Sequence, residues 1–239
     1  MLEAVLWGGL AAASLLIGFY LATRGPSLRV TGLIMGIGAG ALVAAIAYEL
    51  VPESILGGWG MGLAFGLGAV AFFLGDWVVD RRGGEDRKDI AGSSETGSGA
   101  AIFIGTLLDN VPESIILGMG LALGGAINLA FLVAVFISNL PEGVAGSLNL
   151  EAAGYPRRKV FGMWAVLVGV SAACAGLGYL LVGRLPGIDG RMAQAFAAGA
   201  MLTMLADAMM PEAFEHGGKM VGLFTALGFL TAAVLSVAG

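Results

Sequence analysis

The sequence predicts an all-α, polytopic membrane protein, and three observations predict it. Hydrophobic residues make up 58% of the 239 positions and charged ones 12%, with a mean hydropathy of +0.90. A soluble core of this length has no use for so much apolar surface. Apolar stretches of about 17–25 residues recur along the chain, the length that crosses roughly 30 Å of hydrocarbon. Glycine occurs 41 times, and small residues let membrane helices approach closely. No series of alternating ten-residue segments points to a β-barrel.

Eight transmembrane helices are expected, at 3–22, 30–55, 59–80, 100–123, 127–150, 159–183, 189–214 and 218–238. They form one transmembrane domain over 1–239. The first has no basic segment before its apolar run, so no cleaved signal peptide is expected. The second carries glycines 32, 36 and 40, and the third begins on glycines 58, 62 and 66; both sets read as packing surfaces. After the third comes the longest connection, RRGGEDRKDIAGSSETGSG at 81–99, whose charge and Gly/Ser content mark a flexible cytoplasmic loop. The fourth and fifth contain DNVPES and SNLPEG. In the sixth lies the single cysteine, Cys174, which excludes an internal disulfide and reads as a small apolar residue. The seventh is rich in methionine, read as core, and the eighth is uniformly apolar.

Charge orients these spans. Arg24, Arg29, Arg81, Arg82, Arg87, Lys88, Arg157, Arg158, Lys159 and Lys219 fall on one set of flanks, and Arg184 and Arg191 on the other. Ten against two places both termini outside the cytoplasm, and a multi-pass plasma-membrane location follows. The formal charge of −5 offers no basic surface for nucleic acid; the partner expected from composition is the lipid bilayer.

The chain also repeats itself. AGALVAAIAYELVPESILGG (39–58) aligns without gaps on AGAMLTMLADAMMPEAFEHG (198–217), with seven of twenty positions identical. Pro52-Glu53 against Pro211-Glu212 carries most of the weight. The second span runs outward and the seventh inward, so the repeat is inverted, a common plan for secondary transporters.

The chemistry sits in the fourth and fifth spans. Asp109, Asn110 and Glu113, and Ser138, Asn139 and Glu142, fall near mid-span, where one charge costs about 2.5–3.5 kcal/mol on insertion scales. Carboxylates at that depth are paired, hydrated, protonated or bound to a cation, and no lysine or arginine lies at matching depth. Asp109 and Glu113 are four apart, Asn110 and Glu113 three apart, so all three share a helix face; the second group repeats that geometry. Pro112 and Pro141 each remove a helical hydrogen bond and push away a carbonyl, at Leu108 and Ile137. The outcome is an oxygen-rich cage suited to a divalent cation. Interhelical hydrogen bonding alone is the competing explanation. A second acidic group lies along the presumed path: Glu49 and Glu53 at the outer end of the second span, and Asp207, Glu212, Glu215 and the sole histidine, His216, at the inner end of the seventh. Their competing reading is helix ends meeting water.

With these residues in view, the chain resembles the ZIP (Zrt/Irt-like protein) family of divalent metal transporters, especially its bacterial branch. That family has eight helices with both termini outside and an inverted repeat of helices 1–3 and 6–8 around helices 4–5. Its fourth helix carries His-Asn-x-Pro-Glu-Gly and its fifth a related His/Gln-Asn/Asp-x-Pro-Glu-Gly. Here these read DNVPES and SNLPEG. The seventh-helix pattern Ala-Gly-Ala-Met-Leu followed by Pro-Glu also fits. The resemblance implies that Asn110, Glu113, Asn139 and Glu142 are metal ligands, with Asp109 standing where the family's histidine does. It implies metal moving inward by a rigid-body or elevator-like movement around a midplane site, the helix 7 cluster lining the exit. A homodimer is a family-level expectation.

This chain departs from the pattern in informative ways. SAACAGLG (171–178) lacks the glutamate-proline of some sixth helices, so one main metal site is expected and not a binuclear centre. Aspartate for histidine at 109 and serine at 138 shift the donors from nitrogen toward hard oxygen. Zinc is the family default, while manganese, iron(II), cadmium or magnesium gain ground. The metal is cargo, with no resident cofactor. Binding to carboxylates displaces protons, so uptake is expected to vary with pH. Three alternatives stay open: a metal exporter, a metal-binding membrane sensor, and an intramembrane enzyme. The enzyme is disfavoured, since His-Glu-x-x-His and Gly-x-Ser-x-Gly are missing and only an Asp109–Asp207 pair could be suggested.

Overall fold

The computed structural model describes residues 1–51, 58–84, 89, 99–184 and 190–238, and all regular structure among them is helical. The long elements are α1 (Leu2–Ala22), α2 (Leu28–Ala45), α3 (Trp59–Val79), α4 (Gly99–Gly124), α5 (Leu129–Ala152), α6 (Arg157–Arg184) and α7 (Gly190–Met204), then a short α8 (Met210–Gly217) and α9 (Val221–Ala238). Seven helical runs are long and apolar enough to cross a membrane, the last being a single 49-residue run, Gly190–Ala238, where the sequence reading draws two spans. Inside that run Gly218 has φ 64° and ψ −159°, a conformation that glycine alone adopts freely. Glu53 and most of the 81–99 loop lie outside the described residues.

Side-chain size decides how the helices pack. α2 lies along α8 and α9, α3 against α7, α1 against α5 and α6, and α4 against α6. A β-carbon on Gly40 would lie on the Thr225 carbonyl oxygen, and one on Gly228 on that of Ile37. α3 and α7 cross in the same way, through Gly68 on Phe196 and Gly199 on Phe65. Such contact gains dispersion and removes backbone from lipid, which drives association where no hydrophobic effect operates between helices. Glycines 32, 36 and 40 therefore are packing surfaces, as expected. Gly58, Gly62 and Gly66 are not, because among the described residues nothing lies within 4 Å of a β-carbon placed there. Length and spacing cannot tell which face of a helix its neighbours occupy.

Contact order along each pair gives helix direction. Gly32 meets Gly217, Gly36 meets Val221 and Gly40 meets Thr225, so α9 runs beside α2 in the same direction. Gly8 meets Ala172 and Ala175 while Gly176 meets Val5, so α6 runs against α1. Large apolar side chains on α3 (Leu63, Leu67, Phe73) and α9 (Leu223, Leu227, Leu230) point outward and are exposed, which suits helices whose solvent is lipid.

α5 is the most enclosed of the long helices. Trp164 of α6 is fully buried on Gly146. Its Nε1 donates to Ser147 Oγ at 2.8 Å, and that hydroxyl donates to the Gly143 carbonyl at 2.5 Å. The pair fixes α6 on α5 and satisfies an indole N–H that would otherwise be buried unpaired.

Among the described residues, three wide turns interrupt the regular pattern. π-helical Ile46–Leu50 continues α2, Asp80–Gly84 follows α3 with Gly83 outside helical conformation at φ 89°, and π-helical Leu205–Met209 joins α7 to α8. The first and third occupy equivalent positions of the 39–58 and 198–217 alignment. Each carries an acid, Glu49 or Asp207. Turns of this kind widen the helix and occur often at functional sites.

Candidate metal centre

Asp109, Asn110 and Glu113 on α4 are buried to 2%, 1% and 1% exposure, and Ser138, Asn139 and Glu142 on α5 to 0%, 1% and 3%. These figures separate the group from a solvated helix face. Pro112 and Pro141 lie inside helices that continue through them, so each motif stays on one helical face and is not a loop.

Local hydrogen bonds decide which atoms could meet a ligand. Asn110 Nδ2 donates to the Thr106 carbonyl at 3.0 Å, committing the amide nitrogen to its own helix and leaving Oδ1 as the atom a cation could use. Ser138 Oγ donates to the Val135 carbonyl at 3.0 Å, so its lone pairs remain for a cation. At Asn139 neither Nδ2 nor Oδ1 has a hydrogen-bond partner among the described residues. Leaving a buried amide unsatisfied costs roughly 1–3 kcal/mol. Such a residue is kept where something other than the fold uses it. α2 passes directly over this point, because a β-carbon on Gly38 would meet the Ser138 backbone and Met209. Met201, Met204 and Met209 are buried in the apolar core, as expected for the methionine-rich seventh span.

Among the described residues, one set of three acid or imidazole side chains gathers its ligating atoms within 4.8 Å: Asp89, Glu212 and His216. The midplane carboxylates are spread more widely, so a cation there would draw on the Asn and Ser oxygens as well. His216 Nδ1 lies 3.0 Å from Glu212 Oε1, one helical turn away. Asn149, buried at the end of α5, donates to the Asp89 backbone carbonyl at 2.8 Å. Asp207 and Glu215 are exposed and stand apart from this group. Sequence reasoning missed Asp89, which sits in a charged loop far along the chain from α8, and no spacing could connect the two.

At the other end, Glu49 accepts hydrogen bonds from Asn128 Nδ2 and Ser236 Oγ. It borders a cavity of about 470 Å³ whose other polar lining residues are Asn128, Gln194 and Ser236. Neither Asn128 nor Ser236 was legible as a functional residue.

A search of curated proteins finds a similar one in Arabidopsis thaliana, named "Putative zinc transporter", 26% identical over 196 residues. The match covers 77% of this chain and 30% of the plant protein, so the chain spans less than a third of that relative's length. No family model matches the chain. Fold and composition define a class, an all-helical protein with several membrane-spanning helices and a buried polar centre.

Proposed function

We propose that this protein is a divalent metal transporter of the ZIP type, carrying its cargo through the site formed by the two Asn-x-Pro-Glu motifs. The observation that carries this reading is the pair of motifs itself. Two carboxylate-amide groups are buried to 3% exposure or less on adjacent helices, one of them with an unsatisfied asparagine amide. The similarity to the plant protein, whose name says zinc, supports the reading.

Eight spans and an inverted repeat are part of it. The 49-residue run Gly190–Ala238 is about 70 Å long at 1.5 Å per residue, more than twice a bilayer core. α9 runs parallel to α2 and so belongs to an even-numbered span, which supports reading the run as spans seven and eight. Glycine crossings support the repeat. Gly40–Thr225 and Gly228–Ile37 between α2 and α9 correspond to Gly199–Phe65 and Gly68–Phe196 between α7 and α3. Gly18–Leu140 and Gly143–Leu15 between α1 and α5 correspond to Gly178–Ile115 and Gly118–Ala175 between α6 and α4.

Function follows as a path. With both termini outside, a cation enters at Glu49, is held by Glu113, Glu142, Asn110, Asn139, Ser138 and Asp109, and leaves past Glu212, His216 and Asp89 to the cytoplasm. α1, α4, α5 and α6 are read as the element that carries the site and moves as a rigid body, with α2, whose Gly38 lies on Ser138 of α5, as the surface it moves against. The open glycine stripe on α3 is where a second copy would pack. A plasma-membrane location and a non-enzymatic role complete the reading.

The test is metal flux in vesicles containing the purified protein alone. Zn²⁺, Mn²⁺, Fe²⁺ and Cd²⁺ should each enter faster than into empty vesicles; rates equal to empty vesicles for all four would sink the transporter reading. Asp109→His, which restores a nitrogen donor, should raise the Zn²⁺ over Mn²⁺ preference on the order of tenfold. An unchanged ranking would remove Asp109 from the ligand set.

A further inference from the structure

We infer that Glu49 is a capture site for hydrated divalent cations at the outer mouth, and that cation binding there breaks a hydrogen-bonded latch between α2 and the start of α5. The inference rests on the transport reading above and adds a second binding point to it.

Glu49 lies on the π-helical turn that closes α2, half-buried, with one oxygen receiving Asn128 Nδ2 and the other Ser236 Oγ. Both donors are neutral. Asn128 has no choice of orientation, because its Oδ1 caps α5 by accepting from the Phe131 N–H at 2.8 Å, so its NH₂ must face Glu49. Among the described residues the cavity lining contains no lysine, arginine or histidine. Two hydrogen bonds satisfy the lone pairs, and no described residue of the wall adds a counter-charge.

The space fits a hydrated ion. At about 30 Å³ per water, six waters fill about 180 Å³, well under the roughly 470 Å³ available. A smaller space of about 30 Å³ continues inward from Glu49 and Asn128 to Ile116, Leu117 and Phe131. Those three are 2–3% exposed; Ile116 and Leu117 stand one turn of α4 above Glu113, and Phe131 faces them from α5. Among the described residues, Glu49 is therefore the charged group that borders this apolar plug.

Exchange at this point has a fixed chemistry. An amide NH₂ cannot ligate a cation, whereas a serine hydroxyl oxygen can. A cation held by both Glu49 oxygens thus displaces Asn128 while keeping Ser236, which removes the side-chain link from Glu49 to the start of α5 and leaves the one to α9. α2 stays packed on α5 at Gly38 and Ser138, so capture releases the start of α5 from α2 at the outer mouth alone.

The experiment uses Mn²⁺ on the full-length protein. In vesicles at low ionic strength, Glu49→Gln should raise the KM for Mn²⁺ uptake about five- to tenfold, the low end of electrostatic concentration effects. The difference should shrink at about 0.5 M salt, where screening is nearly complete within a few ångströms. A purely structural role would instead lower the rate at every concentration and salt level. In detergent, with Glu113→Ala/Glu142→Ala as background, the electron-resonance signal of free Mn²⁺ should report a weak site that Glu49→Gln removes, distinct from any Mn²⁺ held by Asp89, Glu212 and His216. Asn128→Asp keeps the helix cap and adds a carboxylate, and should tighten that site on the order of tenfold. Uptake without a Glu49-dependent KM, or no Glu49-dependent Mn²⁺ in the background protein, overturns the capture site while leaving transport intact. Glu49-dependent binding with no uptake in the wild type would uphold the site and overturn the transport reading.

Discussion

Replacing Glu113 and Glu142 together by alanine lowers divalent-metal uptake to the rate of empty vesicles, a fall of at least about 100-fold. Groups that only orient metal ligands are typically worth about 10–100-fold, and two carboxylate ligands are worth more. The physical reason is charge. A divalent ion moved from water to the middle of a bilayer is compensated only by negative charge and oxygen donors placed there beforehand. The two glutamates supply charge at positions that are 1% and 3% exposed, and the neutral amides cannot replace it. Glu113→Gln/Glu142→Gln preserves shape and should fail equally, separating charge from packing. If either double variant, eluting as a single species like the wild type, carries metal at half the normal rate, the twin motifs are not the transport site.

The second large effect is on folding. Gly199→Leu puts a side chain where the Phe65 carbonyl oxygen already lies, at the α3–α7 crossing. Backbone cannot rotate away as a flexible side chain can, so the helices must separate. The cost should reach the upper end of overpacking, about 3 kcal/mol, which lowers the melting temperature of a chain this size by roughly 10 °C or prevents recovery of folded protein. Gly62→Leu is the control, because among the described residues nothing lies within 4 Å of the new β-carbon. A Gly199→Leu protein melting with the wild type would mean that α3 and α7 do not cross as described.

These two predictions also mark what the sequence could disclose. Membrane spans and the paired motifs were legible because each is a local contrast: apolar runs against charged flanks, and carboxylates inside apolar runs. The sequence alignment of 39–58 on 198–217 rests on Pro52-Glu53 and Pro211-Glu212, and π-helical turns fall at equivalent positions within it. What stayed hidden depends on how helices rotate against one another. Asp207 and Glu212 were read as one cluster, yet the π-helical turn at Leu205–Met209 leaves Asp207 exposed while Glu212 meets Asp89 and His216. Glu49 was placed on the presumed path, with a helix end meeting water as the competing reading, and only tertiary packing brings Asn128 and Ser236 to it. Equal glycine spacing at 32, 36, 40 and at 58, 62, 66 produced one packed face and one open face, since spacing defines a face without defining its neighbour.

The most direct measurement is X-ray absorption at the zinc edge on purified protein loaded with less than one equivalent of Zn²⁺. An oxygen and nitrogen shell at about 2.0–2.2 Å with no sulfur is the predicted result, with occupancy lost in Glu113→Ala/Glu142→Ala. A sulfur shell near about 2.3 Å, drawn from Cys174, or an unaltered shell in the double variant, would contradict the assignment of the metal to the twin Pro-Glu motifs.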